Sequence, residues 1–328
     1  MSMNRRRALK TLFCYSSALA LSPQLSFADA STPSDALNFL AIGDYGTTGT
    51  DQRAVAAAME TFCQSSAVSP DGLLLLGDNF YSPAKDGFSI HSERWRTTFE
   101  DVYRNDAFPC PCWAVLGNHD YRDNLGGEVV QMEYAKAMQT RWRMPNKWYR
   151  FELGGRKPLA TVLALDSNFP STLIPNPRKP PRTMSAEETQ LQLEWLEAEL
   201  SKPRAPLTIV MGHHPVYSNG QHGDTPALVK HWAPLFEKHQ VHAYLCGHDH
   251  DLQHLELEGL FTSYVLSGGG GARTRRMPSD REIPYGKDIH GFTHLQIVPE
   301  KLIISHHSVD GQLVHRFTKS VDGTVTIG

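Results

Sequence analysis

Asp, Asn and His gather in six glycine-flanked clusters: Gly43-Asp44-Tyr45-Gly46, Gly77-Asp78-Asn79-Phe80-Tyr81, Gly117-Asn118-His119-Asp120, Gly212-His213-His214-Pro215, Gly220-Gln221-His222-Gly223 and Gly247-His248-Asp249-His250. Carboxylate, carboxamide and imidazole donors recurring together are what a two-metal hydrolytic centre needs: ions about 3.5–4 Å apart can clamp an ester and generate hydroxide between them. Tyr81, three residues after Asp78, is the unusual member, because a phenolate favours a hard trivalent ion. Taken singly, each cluster has a plain reading. Gly-Asp after a strand is a turn, and a lone buried histidine is hydrogen-bonded. Gly247-His248-Asp249-His250 is the most specific, with two imidazoles two residues apart.

Five of these clusters follow apolar runs: Leu37 to Ile42, Leu73 to Leu76, Trp113 to Leu116, Leu207 to Met211 and Val241 to Cys246. Unbroken apolar runs read as strands buried on both faces, and Leu159 to Leu165 is another, ending at Asp166 without a ligand cluster. A glycine after each strand lets the backbone turn sharply. Side chains at several carboxyl strand ends then converge on one crevice. Helical patterns cover Asp51 to Cys63, Glu93 to Tyr103 and Thr225 to His239, and Ser185-Ala186-Glu187-Glu188 is a capping box opening a helix to about Leu200. Alternating strands and helices give an α/β fold layered around central sheets. From Phe292 the pattern changes to short strands, with turns at Asp310-Gly311 and Asp322-Gly323. Pro170 to Pro181 is proline-rich and expected as a surface loop beside the site.

Residues 1–30 read as an export signal and 31–328 as one catalytic domain. Arg5-Arg6-Arg7-Ala8-Leu9-Lys10 opens an apolar stretch through Leu21, and Ala28-Asp29-Ala30 offers a small-residue cleavage site. The stretch is too short and serine-rich to span a bilayer, so no stable membrane anchor is expected. The paired arginines resemble a twin-arginine signal, a route that carries folded proteins. The destination is therefore the periplasm or the exterior. A net charge of -3 argues against a nucleic-acid partner. Cys63, Cys110, Cys112 and Cys246 remain after cleavage, too few for a disulfide scaffold. A bridge from Cys63 to Cys110 or Cys112 is open, and Cys246 reads as a buried thiol.

The order Asp44, Asp78 with Tyr81, Asn118-His119, His213, and His248 with His250 resembles the calcineurin-like metallophosphoesterases, and more closely the purple acid phosphatases of the small, tartrate-resistant mammalian type. The similarity runs from about residue 37 to the C-terminus and includes Tyr244-Leu245-Cys246-Gly247-His248-Asp249-His250 and Tyr264-Val265-Leu266-Ser267-Gly268. It implies an α/β sandwich of two central mixed sheets flanked by helices. Wider relatives carry a histidine ligand two residues after the first aspartate, where this chain has Gly46, and often an aspartate where it has Tyr81. By resemblance, Asp44, Asp78, Tyr81 and His250 hold a ferric ion. Asp78, Asn118, His213 and His248 hold a divalent ion (iron, zinc or manganese), with Asp78 bridging.

The implied reaction is hydrolysis of phosphate monoesters, on small molecules or proteins, at acid pH. Hydroxide attacks phosphorus in line, with no phosphoenzyme. By the same resemblance His119 and His222 face substrate, His119 as the preferred general acid and His222 orienting phosphate. His214 stands where mammalian relatives have tyrosine; it either supports the site or is simply exposed. His231, His239, His242, His306 and His307 read as ordinary surface or core histidines. Gly268 to Gly271 lacks a Walker lysine and reads as a close loop beside the metals. Arg273, Arg275 and Arg276 either steer anions or form a solvated basic loop. Two alternatives stand beside the monoesterase: a phosphodiesterase or nucleotide-cleaving relative, and a catalytically silent exported metal-binding protein. The presence of His119 and His222 argues against the silent protein.

Overall fold

Strand-forming runs assemble into two sheets in a computed structural model that describes residues 36–85, 87–170 and 183–328. The first sheet contains β1 (Leu37–Ile42), β2 (Gly72–Leu75), β3 (Cys112–Ala114) and β4 (Trp142–Arg143), paired in parallel in that order. It continues on the other side of β1, antiparallel, with β12 (Gly291–Val298), β13 (Lys301–Ser308), β14 (Leu313–Ser320) and β15 (Val325–Ile327). The second sheet has the order β11-β9-β10-β8-β7-β6-β5, comprising β5 (Tyr149–Leu153), β6 (Ala160–Ala164), β7 (Leu207–Met211), β8 (Ala243–Cys246), β9 (Leu252–Leu255), β10 (Ser263–Ser267) and β11 (Tyr285–Lys287).

Alternation along each strand sorts the core into two layers. Phe39, Ala41, Leu74 and Leu76 share one apolar cluster with Val162, Ile209, Met211 and Leu245 of the second sheet and with no helical residue, so this layer lies between the sheets. Leu40 and Ile42 face the other way, onto Val55 and Met59 of helix Thr50–Ser65. That explains the unbroken apolar runs: each parallel strand is covered on both faces. Asp35–Gly328 forms one compact unit, and no helix among the described residues is long and apolar enough to cross a membrane.

The capping box is present, with Ser185 Oγ accepting from Glu188 N at 3.0 Å and opening helix Ala186–Ser201. The turns at Gly311 and Gly323 have φ of 81° and 87°. Two expectations change, and one helix is unforeseen. Residues 95–100 form a π-helix, in which Asp101 N donates to Arg96 O five residues back. The helix expected over Thr225 to His239 is two, Pro226–His231 and Ala233–Lys238, because Pro234 has no N–H for the Lys230 carbonyl. A helix at Gly127–Ala137 carried no recognised signal. Cys63, Cys110, Cys112 and Cys246 are all buried free thiols, so the bridge left open at Cys63 is not formed. The export segment and the core of the proline-rich loop lie outside the described residues.

His306 and His307 are core residues, as is His242. His306 Nε2 donates to the Gln253 carbonyl, while His254 Nδ1 lies 2.9 Å from His315 Nε2, joining the two sheets. Burial holds His306 down at about 3 and His315 at about 4. These rings are neutral when folded but take up protons below about 6.5 in the unfolded chain. Their stability contribution is therefore complete above that pH and is lost as pH falls toward the folded values. His306→Gln removes one such group. Its urea-derived stability relative to the parent should improve by about 1.4 kcal/mol per pH unit from pH 6 to 4. A constant difference over that range would refute the buried-neutral assignment.

Candidate metal centre

The candidate ligands leave the carboxyl ends of strands in both sheets: Asp44 after β1, Asp78 and Tyr81 after β2, Asn118 after β3, His213 after β7, and His248 and His250 after β8. The turn device differs from the one expected. The ligands themselves take the left-handed backbone, with φ of 58° at Asp44, 55° at Asp78 and 71° at His248. Such strain in non-glycine residues persists only where surrounding contacts enforce it. The neighbouring glycine supplies room: a Cβ on Gly247 would sit 2.4 Å from Asp44 Oδ2. That oxygen instead accepts from His248 N at 2.8 Å, tying the two sheets' ligands together.

The expected donors converge in two groups. Tyr81 Oη lies 3.2 Å from Asp44 Oδ1 and 3.4 Å from His250 Nε2. His213 Nε2 lies 3.2 Å from Asn118 Oδ1, 3.2 Å from His248 Nδ1 and 3.4 Å from Asp78 Oδ1. Asp78 stands between the groups, bonded to Tyr81 on one side and beside His213 on the other. Donor atoms of Asp44, Asp78 and His213 all lie within 4.8 Å of one another.

The chemistry of this donor set fits a pair of metal ions. Asp44 and Asp78 are 0% and 1% exposed, and among the described residues no Lys or Arg forms an ion pair with either. Two buried carboxylates at such range demand a cation. Burial and the Asp78 charge push Asp44 well above the usual carboxylate range. Burial works against Asp78 as well, but the His213 and His119 rings beside it and the His119 N–H bring it below the usual carboxylate range. Burial, then the two carboxylates, raise the Tyr81 phenol, so its proton leaves only to a strong cation. His213 Nδ1 donates to Leu76 O at 2.9 Å and His250 Nδ1 to Arg273 O at 2.8 Å. Each ring thus keeps Nε2 as a lone-pair donor toward the centre. Burial also lowers His213, His248 and His250, the last to about 4, keeping them neutral for ligation.

Both substrate-facing candidates sit on the rim. The His119 ring lies tilted against Tyr81, centroids 4.1 Å apart, with its Nε2 4.0 Å from Asp78 Oδ2; the His222 ring lies tilted against His248, centroids 4.2 Å apart. Each is backed by an aspartate: His119 Nδ1 donates to Asp123 Oδ2 at 2.6 Å, and His222 Nδ1 to Asp249 Oδ1 at 2.8 Å. The sequence alone assigned neither aspartate this role. His214 is buried, its Nδ1 2.8 Å from Ser167 Oγ, so of its two readings the exposed one is overturned. Arg275 Nη1 lies 3.1 Å from His222 Nε2, so the basic loop reaches the rim of the site. Gly268 to Gly271 does run beside the centre, with Gly270 N bonded to Gly43 O. Asp166 stays out of it and accepts from Tyr121 at 2.6 Å.

Gly46 has a structural reason to lack a side chain. Its N–H donates to Asp78 O and its carbonyl accepts from Tyr81 N at 3.0 Å, so the first two ligand loops lie backbone against backbone. A Cβ there would fall 2.1 Å from Asn79 O.

The sequence signature of the calcineurin-like phosphoesterase family matches residues 37–252. Mouse tartrate-resistant acid phosphatase type 5 is 34% identical over 311 residues, covering 88% of this chain and 91% of the relative. This chain is a calcineurin-like phosphoesterase of the purple acid phosphatase type. Purple acid phosphatase 7 of Arabidopsis thaliana is 29% identical, with 94% of each chain covered. Among solved structures, GAP50 of Plasmodium superposes with a TM-score of 0.71 at 22% identity, covering 86% of this chain and 87% of that one. A purple acid phosphatase from yellow lupin (Lupinus luteus) superposes with a TM-score of 0.64 at 17% identity, covering 88% and 54%. These two likenesses bear out the two-sheet fold; a dinuclear centre follows from the family.

Proposed function

We propose that this phosphoesterase hydrolyses phosphate monoesters at acid pH, on small molecules or proteins. The observation that carries the reading is the division of the donors into an oxygen-rich group (Asp44, Tyr81, His250) and an imidazole-rich group (Asn118, His213, His248) joined by Asp78. Hard donors suit a ferric ion and the imidazoles a divalent iron, zinc or manganese. When bound, such a pair supplies Lewis acidity at phosphorus and a water acidic enough to attack at low pH.

The chain's own residues do the rest. His222, held by Asp249 and braced on His248, fixes the phosphate at the rim. His119 carries a proton on Nε2, the nitrogen turned toward Asp78, and delivers it to the departing oxygen. Asp123 takes the other ring nitrogen, so the two ends of the imidazole have separate tasks. No side chain here is used as a nucleophile. Nitrophenyl phosphate and bis(nitrophenyl) phosphate separate the readings: a large kcat/KM preference for the monoester is expected, and a preference for the diester would overturn it.

Residues 1–30 are proposed to be removed on export, on the strength of Arg5-Arg6-Arg7 and Ala28-Asp29-Ala30. N-terminal sequencing of the exported protein should begin near Ser31; an intact Met1 on a cytoplasmic protein would contradict it.

A further inference from the structure

We propose that Asp123 is a positioning residue for His119, fixing the ring so that Nε2 is the nitrogen presented to the leaving group. The inference rests on the general-acid reading of His119. Helix Asn118–Arg122 places His119 and Asp123 one turn apart, which brings the carboxylate beneath the ring. Asp123 Oδ2 accepts from His119 Nδ1 at 2.6 Å, a short charge-assisted bond that retains the Nδ1 proton of the doubly protonated ring and leaves the Nε2 proton as the one to deliver. Nε2, with Arg122 Nη2 against it, faces Asp78 Oδ2, 4.0 Å away. The carboxylate is itself held: Ser82 N donates to Oδ2 at 2.8 Å and Arg122 Nε to Oδ1 at 3.1 Å. Ser82 adjoins Tyr81, whose ring packs tilted against His119, so one loop carries a support for each partner. Side-chain exposure of 18% for His119 and 14% for Asp123 leaves the pair shielded from solvent and salt. Among the described residues, Asp123 makes no hydrogen bond to any of the proposed metal ligands.

A freely rotating imidazole presents either nitrogen at any angle, and general acid catalysis requires one nitrogen within hydrogen-bond reach of the departing oxygen. Loss of Asp123 should therefore reproduce part of the defect of losing His119, and only where a proton is needed. In the metal-loaded enzyme, Asp123→Ala should lower kcat on an alkyl phosphate by about 10- to 100-fold, with KM and metal content unchanged, and barely affect nitrophenyl phosphate. Asp123→Asn keeps an acceptor for Nδ1–H and a nearly identical shape, so it should fold as the parent and show a smaller, equally selective loss. Adding Asp123→Ala to His119→Ala should change nothing further. Equal losses across leaving groups in both Asp123 variants, or a further loss in the double variant, would overturn the proposal alone. If His119→Ala itself fails to discriminate leaving groups, the general-acid reading falls and this inference falls with it.

Discussion

Turnover of an alkyl phosphate by His119→Ala should fall by about 10²–10⁴-fold, the range that a positioned proton donor supplies. An alkoxide cannot depart without a proton, whereas nitrophenolate can, so the nitrophenyl ester should lose far less. Three contacts give the expectation its direction. The ring lies on Tyr81, its Nδ1 is engaged by Asp123, and its Nε2 faces Asp78 without being among the converging ligand atoms. Metal content should therefore survive the substitution, and metal analysis beside the rate measurements checks this. Equal losses on both esters would show that His119 binds phosphate instead of donating a proton.

The second large effect belongs to Tyr81. Its hydroxyl sits 3.2 Å from Asp44 Oδ1 and 3.4 Å from His250 Nε2, while its ring supports His119. Without a cation, burial and two neighbouring carboxylates keep the phenol protonated. Only a strongly charged ion draws off that proton, and a phenolate on ferric iron absorbs visible light. The isolated protein should be purple or pink and contain iron plus a second metal. Tyr81→Phe keeps the ring and removes the oxygen. The visible band should vanish and iron should be retained less well on dialysis, read by absorption and metal analysis. A colourless, iron-free parent with full activity would remove the ferric assignment and strengthen the diesterase alternative.

The convergence of the candidate ligands was legible because each cluster follows an apolar run and a glycine, a local signal that needs no tertiary knowledge. Their supports were not. Asp249 reaches His222 across 27 positions, and nothing in either loop announces the pairing. Asp123 was in principle readable, lying one turn from His119, but a five-residue helix is too short to display a period. The role given to the glycines was half right. They make space, while Asp44, Asp78 and His248 carry most of the unusual backbone. The break at Trp232 followed from Pro234, which was visible and went unused within an otherwise periodic stretch.

Gly46 bears on how such a centre can change through descent. Its backbone is bonded on one side to the loop of Asp78 and on the other to Tyr81 itself. A histidine placed there has nowhere to put even its first carbon, so a single codon change yields a damaged site and not the histidine-bearing arrangement of wider relatives. The two loops must part before a new ligand can enter, and parting them withdraws the tyrosine. Glycine at 46 and tyrosine at 81 are thus structurally linked: a side chain at the first position calls for movement of the loop that carries the second.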